Sequence, residues 1–173
     1  MQTKSQTQSQ TQSQTAGVTV MSSSEKHDYL VFQVGGREYG IALENVQELT
    51  TYCAVRPIAG APQAIAGAVV LRSHQLPVLN LHAVLTREDT DNSKLSDVVV
   101  VHHAGQVGGI AVDCVLDVLS VAPDQVRTKL RAVDAESGFL NGVATLGRRV
   151  VPLLNPEKLV ADFQPGPVAK LAA

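Results

Sequence analysis

Gly40–Leu49 reads GIALENVQEL, and Gly109–Val118 reads GIAVDCVLDV. The Gly, Ile and Ala are identical, as is the Val at positions 46 and 115. Glu44/Asp113 and Glu48/Asp117 keep their charge, and Leu43/Val112 and Leu49/Val118 stay apolar. A second pair follows. Gly67–Asn80 (GAVVLRSHQLPVLN) matches Gly142–Asn155 (GVATLGRRVVPLLN) at Gly, Leu, Pro, Leu and Asn. The first match recurs after 69 positions and the second after 75. A unit of that length is a small domain, well above the 20–50 residues of a solenoid repeat. Two similar modules in tandem are therefore expected, with a seam between them.

Outward from the repeat, short strands dominate. Tyr29–Val34 is rich in β-formers, Gly35-Gly36 makes a hairpin turn, and Arg37–Ile41 returns. Leu43, Val46 and Leu49 fit one short helical turn, or a switch to extended chain near Val46. Ala68–Leu71 and Gln75–Leu79 pair around a turn at Arg72–His74. Pro77 has no N–H to give a ladder, which places its strand at an edge or an end. Leu81–Leu85 is a candidate helical turn. Thr86–Ser96 (TREDTDNSKLS) is polar enough to be the linker between modules.

The second module opens on Asp97–Val101 (DVVVV), apolar enough to be buried on both faces, and turns at Ala104-Gly105 into Gln106–Val112. Phe139–Leu146 and Arg149–Leu154 close it as a hairpin with Gly147-Arg148 at the tip. Asn155-Pro156-Glu157 then caps a short helix over Pro156–Ala161. Frequent Gly turns, short strands and scarcely any helix indicate small β-barrels.

Composition narrows the function. A hydrophobic share of 45% speaks against wholesale disorder, and a net charge of −2 with 3% aromatics leaves neither a basic footprint nor stacking platforms for nucleic acid. An SH3- or OB-type nucleic-acid-binding barrel is the weaker alternative on those grounds. No apolar run reaches the ~18–20 residues of a membrane span. Met1–Thr15 (MQTKSQTQSQTQSQT) lacks the apolar core of a signal peptide and has nothing to bury, so a disordered tail is expected over 1–27; Met21 is a second candidate start.

Catalytic motifs are absent. Gly35–Gly40 (GGREYG) is neither GxGxxG nor GxxxxGK[ST]. His102 and His103 are adjacent in a strand and point to opposite faces, and His74 and His82 lack HExxH or CxxC company. Ser73-His74 is no nucleophile elbow. Cys53 and Cys114 are too few for a disulfide framework and read as reduced thiols; Cys53 alone does not make an enzyme. No catalytic, metal or cofactor site is expected. A binding protein remains, with Glu48 and Asp117 at equivalent places and Arg72 exposed at a hairpin tip, suited to a partner carboxylate or carbonyl.

Tyr29–Phe32 (YLVF), Gly35–Ile41, Val46–Leu49, Gly67 through Leu71-Arg72, Pro77–Leu81, Gly109–Leu119 and Gly142–Leu159 together resemble, in order and spacing, the CheW family of chemotaxis coupling proteins. The likeness runs from about Asp28 to Val160. It implies an all-β fold with short helices, built of two tandem five-stranded SH3-like β-barrels packed together. The division expected is 28–95 for the first barrel, 96–162 for the second and 163–173 for a flexible tail. It also implies a non-enzymatic, cytoplasmic scaffold, recruited to receptor arrays at the inner membrane. Its partners would be the regulatory domain of the histidine kinase CheA and the cytoplasmic tip of methyl-accepting chemoreceptors. A receptor helix is expected in the seam, lined by Val46, Leu49, Val115 and Val118, with Gly67 and Gly109 where no side chain is tolerated. Glu48 and Arg72 would form the kinase face. Family members typically have Asn-Leu-Arg-Gly where this chain has Val70-Leu71-Arg72-Ser73, and Asp in place of Asn80. Ser73 argues against a turn with positive φ. These departures leave room for service in a pilus-motility or other chemosensory pathway.

If Met1–Lys26 contributes nothing to folding, removing it leaves the melting temperature within error. A clear loss in a thermal melt would move the domain boundary.

Overall fold

Four consecutive valines, Val98–Val101, have no exposed surface. A strand hides both faces only when structure lies on each side of it. The computed structural model describes residues 25–88, 91–131 and 138–163. It is all-β with short helices: two small SH3-like barrels share a central apolar layer.

The strands are β1 (His27–Val34), β2 (Arg37–Ala42), β3 (Val46–Thr51), β4 (Ile65–Leu71), β5 (His74–Asn80), β6 (Asp97–His103), β7 (Gln106–Val112), β8 (Cys114–Val121), β9 (Val126–Arg127), β10 (Leu140–Leu146) and β11 (Arg149–Leu154). Two helices, α1 (Leu81–Thr86) and α2 (Pro156–Asp162), follow β5 and β11. Leu43–Asn45 is a 3-10 turn and the chain is extended from Val46, so both readings of that stretch hold in part.

One sheet runs β8-β1-β2-β11-β10-β9 and the other β3-β6-β7-β5-β4. The expected split into a barrel over 28–95 and another over 96–162 does not follow the sheets. The β1–β2 hairpin joins strands of the second half, and the β6–β7 hairpin joins strands of the first. The joints are equivalent parallel contacts, Leu153 with Gly40 in one sheet and Val78 with Gly109 in the other. Each half lends its first hairpin to the other.

Closure is repeated as well. After β3, a 3-10 turn over Tyr52–Ala54 brings Arg56 against Ala68 of β4, through two backbone hydrogen bonds of 2.8 Å. After β8, a 3-10 turn over Pro123–Gln125 brings β9 against β10. The glycines shared by the second repeat, Gly67 and Gly142, lie at bulges under these closing segments. A Cβ on Gly67 would sit 2.3 Å from the Arg56 carbonyl oxygen, and one on Gly142 3.3 Å from that of Arg127. The repeated glycine therefore lets the barrel shut.

Three apolar clusters follow. Val55, Val69, Val78, Val98 and Ala111 fill one barrel; Val31, Val121, Ala144, Val151 and Leu153 fill the other. The largest cluster lies between them, with Leu30, Phe32 and Val34 of β1, Val99 and Val101 of β6, and Leu159 and Val160 of α2. Strands β1 and β6 thus face a barrel interior on one side and the seam on the other. That placement produces the unbroken valine run and the loose alternation of β1.

Pro77 stands in an interior strand, not at an edge. It pairs with Ala68 of β4, while the contact of β5 with β7 begins at Val78, so the missing N–H is not required on that side. Phe163, expected in the flexible tail, is buried in the seam cluster, over Gly108, where a Cβ would come 2.5 Å from the ring. At the other end the expected tail over 1–27 is cut short, since His27 already pairs with Val121 as the first residue of β1. The remaining tail residues, 1–24 and 164–173, lie outside the described residues.

The Arg72-Ser73 turn also departs from expectation. Both residues have positive φ, 47° and 69°, although neither is glycine. Six antiparallel pairs from Ile65–Leu79 to Leu71–His74 hold this register with a two-residue loop, and such a loop favours the primed turn whose twist matches the strands. The backbone cost is accepted there.

Two tests follow from this architecture. A chain ending at residue 95 lacks β6 and β7 and exposes the seam side of β1; it should lack a cooperative melt alone and regain one when mixed with the complementary fragment. A cooperative transition in the isolated first half would sink the exchange. Ser73→Gly relieves a left-handed non-glycine residue costing about 1–2 kcal/mol, less the entropy glycine adds to the unfolded chain. It should raise stability by about 1 kcal/mol, seen as a Tm a few degrees higher.

Candidate functional site

The second repeat that closes the barrels also carries charge to their rims. In one barrel Glu48 of β3 meets Arg72 from the β4–β5 turn at 3.5 Å. In the other, Asp117, the counterpart of Glu48, holds Arg149 from the β10–β11 hairpin through two bonds of 3.0 and 3.1 Å. Arg149 also donates to Glu38 of β2 at 2.7 Å. Its hydrogen bonds to Asp117 and then Glu38 hold its pKa above the ordinary arginine value. The same acid-to-hairpin device is therefore tight in one barrel and loose in the other. Arg72 has a single ionic contact and a side chain 78% exposed.

Glu48 and Arg72 are brought together as neighbours, with the guanidinium held out by the left-handed turn. His74 Nδ1 lies 3.0 Å from the Arg72 carbonyl oxygen and braces the turn from its far side. A surface arginine with a defined turn and a largely solvated head suits a carboxylate or a carbonyl array on a partner.

The four apolar residues expected to line one seam groove divide into two pairs. Val46 and Val115 are half-buried and pack against the central cluster. Leu49 and Val118 point outward, each 49% exposed. Between the barrels the seam is filled by the central cluster, and these two residues stand outside it. Register explains the division. Val46 lies opposite Val101 and Leu49 opposite Val99, Val115 opposite Phe32 and Val118 opposite Leu30. A bulge within each step keeps both members on one face of an edge strand, the first packed on the central cluster and the second farther along, in solvent. The bulges between Val46 and Glu48, and opposite Asp117 in the pairing of β1 with β8, adjust the same stretch of each repeat.

Gly67 and Gly109 are buried and present nothing to a partner. Their constraint is internal: Gly67 lies under the Arg56 carbonyl, and a Cβ on Gly109 would meet Val98 at 2.9 Å and Val78 at 3.1 Å. Sequence reasoning missed Arg149 and Glu38, and it missed Leu116, Val70 and Val150, which are exposed apolar residues on β8, β4 and β11. One signal was available for Arg149. It follows the hairpin tip that matches the Arg72 turn, aligned with His74, and Asp117 matches Glu48.

Catalytic chemistry has no frame here. Among the described residues no group of His, Cys, Asp and Glu could hold a metal ion. Cys53 is exposed, and Cys114 Sγ lies 3.6 Å from Gln33 Oε1, with no base beside either in the recorded contacts. Among the same residues no helix is long and apolar enough to cross a membrane.

Comparison with known proteins agrees with this picture. The CheW-like domain matches residues 28–164. The "Chemotaxis protein CheW" of Klebsiella aerogenes is 34% identical over 136 residues, 78% of this chain and 82% of that one. "Protein FrzA" of Myxococcus xanthus is 26% identical over 147 residues, 84% of this chain and 92% of that one. The crystal structure of the scaffolding protein TtCheW from Thermoanaerobacter tengcongensis superposes with a TM-score of 0.69 at 22% identity, covering 75% of this chain and 89% of that one, and shares the fold. With the family match spanning nearly all of the described residues, the chain belongs to the CheW-like family of non-enzymatic chemotaxis adaptors.

Proposed function

We propose that this protein couples methyl-accepting chemoreceptors to the histidine kinase CheA, from the cytoplasmic side of receptor arrays at the inner membrane. The observation that carries the reading is the repeated rim. On each barrel an exposed aliphatic residue, Leu49 or Val118, directly follows an acid paired with a hairpin arginine. An apolar anchor beside a charged pair supplies both affinity and orientation. Two such rims on one rigid body allow two partners to be held at a fixed spacing.

The rims are assigned by their differences. The Glu48–Arg72 rim keeps a free-standing guanidinium and is the kinase face. The Val118 rim is more apolar, with Leu116 also exposed, and its arginine is already taken by Asp117 and Glu38; it receives the apolar side of the receptor's helical hairpin. Val46, Val115, Gly67 and Gly109 support these surfaces from inside. A second reading, service in a chemosensory pathway other than the main one, is favoured by Val70, Ser73 and Asn80, where the chain departs from the usual family pattern.

Arg72→Ala removes one exposed ion pair and leaves stability within ~0.5 kcal/mol of wild type. At a desolvated interface the same side chain is worth about 2 kcal/mol, so titration calorimetry should show kinase binding weakened roughly thirtyfold. Val118→Arg should abolish co-sedimentation with receptor-bearing membranes at wild-type stability and leave kinase binding intact. Val115→Arg, packed on the seam, should instead lower Tm and lose both partners. Receptor binding that survives Val118→Arg would remove the receptor from this rim.

A further inference from the structure

Among the described residues, two-residue turns join paired strands at Gly35-Gly36, Arg72-Ser73, Ala104-Gly105 and Gly147-Arg148. All but one place a glycine at positive φ, with Gly36 at 79°, Gly105 at 80° and Gly147 at 62°. Arg72-Ser73 has no glycine, and both of its residues are left-handed. A type I′ turn demands that conformation at both central places, and glycine, asparagine and aspartate are the residues that accept it. Strand register imposes the turn from outside. A second restraint is local: His74 Nδ1 lies 3.0 Å from the Arg72 carbonyl oxygen. That oxygen belongs to the peptide between the two central residues, whose rotation separates type I′ from type II′. A carbonyl oxygen can only accept, so Nδ1 carries the hydrogen. The repeat supplies the contrast. His74 aligns with Arg149, 75 positions on, which reaches across to Asp117 and Glu38. In the first barrel residue 74 bends back to its own turn, and Glu48 is left to Arg72.

We propose that His74 is a positioning residue for the first rim: its Nδ1–H fixes the central peptide of the turn and thereby holds the Arg72 guanidinium beside Glu48, where the kinase meets it. The role rests on Arg72 being the kinase contact. An arginine side chain leaves the backbone in a direction set by its own φ and ψ, so rotation of the next peptide re-aims it. Only molecules with the turn in the held state present the guanidinium correctly, and apparent affinity falls with the fraction in that state. One solvated hydrogen bond changes such a fraction by about twofold to tenfold. Protonation of the ring leaves the brace in place, because Nδ1 bears a hydrogen in the cation too. What matters is the position of the donor. Nδ1 is one bond beyond Cγ, as is the amide nitrogen of asparagine. The amide nitrogen of glutamine lies one bond farther out, like Nε2 of the imidazole.

The test uses the full chain, alone in NMR and then titrated with the kinase's regulatory domain in a calorimeter. At a pH where the ring is neutral, the ring-nitrogen signals of His74 should show Nδ1 protonated and Nε2 bare. Amide couplings of Arg72 and Ser73 report the left-handed turn; His74→Asn should keep them and His74→Gln should change them. Kinase affinity should stay within about twofold of wild type in His74→Asn and weaken about threefold to tenfold in His74→Gln. Tm should fall by no more than a few degrees in either. In an Arg72→Ala background His74→Gln should cost nothing further, because the side chain it positions is gone. A wild-type ring protonated at Nε2 alone, left-handed couplings that survive His74→Gln, or equal losses in the two His74 variants would each overturn the role. So would a His74→Gln loss that persists without Arg72, which would make His74 a contact of the kinase itself. Wild-type binding by His74→Gln beside weak binding by Arg72→Ala would overturn the positioning role alone; wild-type binding by both would remove the kinase from this rim as well.

Discussion

The structure depends on the apolar layer between the barrels. Neither barrel is large enough to be secure on its own interior, since small domains bury a smaller fraction of their surface. The shared layer draws on β1, β2, β5, β6, β7, β11 and both helices, so almost every element contributes to it. Exchange of the first hairpins makes this sharing compulsory. A hairpin given to the other half cannot leave without opening one barrel and stripping the layer. The two modules should therefore fold and unfold as one unit, and their relative orientation is fixed by packing, not by a linker.

That rigidity decides where binding can occur. The seam, the natural place to look in a two-module protein, is filled by the central cluster. Exposed aliphatic side chains stand instead at the rims, where the strands β3 and β8 turn toward their closing segments. On those edge strands Val46 and Val115 pack on the layer, and Leu49 and Val118, on the same face but farther along, reach solvent. The same ten-residue phrase thus carries both core and exposed aliphatic surface.

The repeat was legible because its glycines, prolines and aliphatic positions are each required by geometry. Gly67 and Gly142 admit a closing backbone, and Asn80 and Asn155 cap the helices. Turn positions, the short helices and the doubly buried Val98–Val101 were readable for similar local reasons. The hairpin exchange was not, because a repeat identifies equivalent strands without saying which copy completes which sheet. Pro77 misled for a related reason: its strand is interior, but the neighbour that would need its N–H pairs only from the next residue onward. Arg72-Ser73 misled because propensity ranks residues for a turn, whereas here the strand register on either side imposes the turn on residues that disfavour it. Of the candidate site, the exposure of Arg72 was legible from its hairpin, whereas its pairing with Glu48 and the different burial of the four aliphatic residues depend on bulges and strand neighbours that the sequence does not specify.

The two rims are similar in fold and differ in how they use charge. On the second barrel, Asp117 and Glu38 grip Arg149 from two strands, joining β8, β2 and the β10–β11 hairpin and leaving little of the guanidinium to a partner. On the first, the single 3.5 Å contact of Glu48 with Arg72 is largely solvated and contributes little to stability. An interaction that adds little to the fold can be given up to a partner at little cost. A strained turn then keeps Arg72 where a partner can reach it. The two barrels repeat one fold, and their asymmetry lies in one arginine gripped by two carboxylates and another held by a single, largely solvated contact.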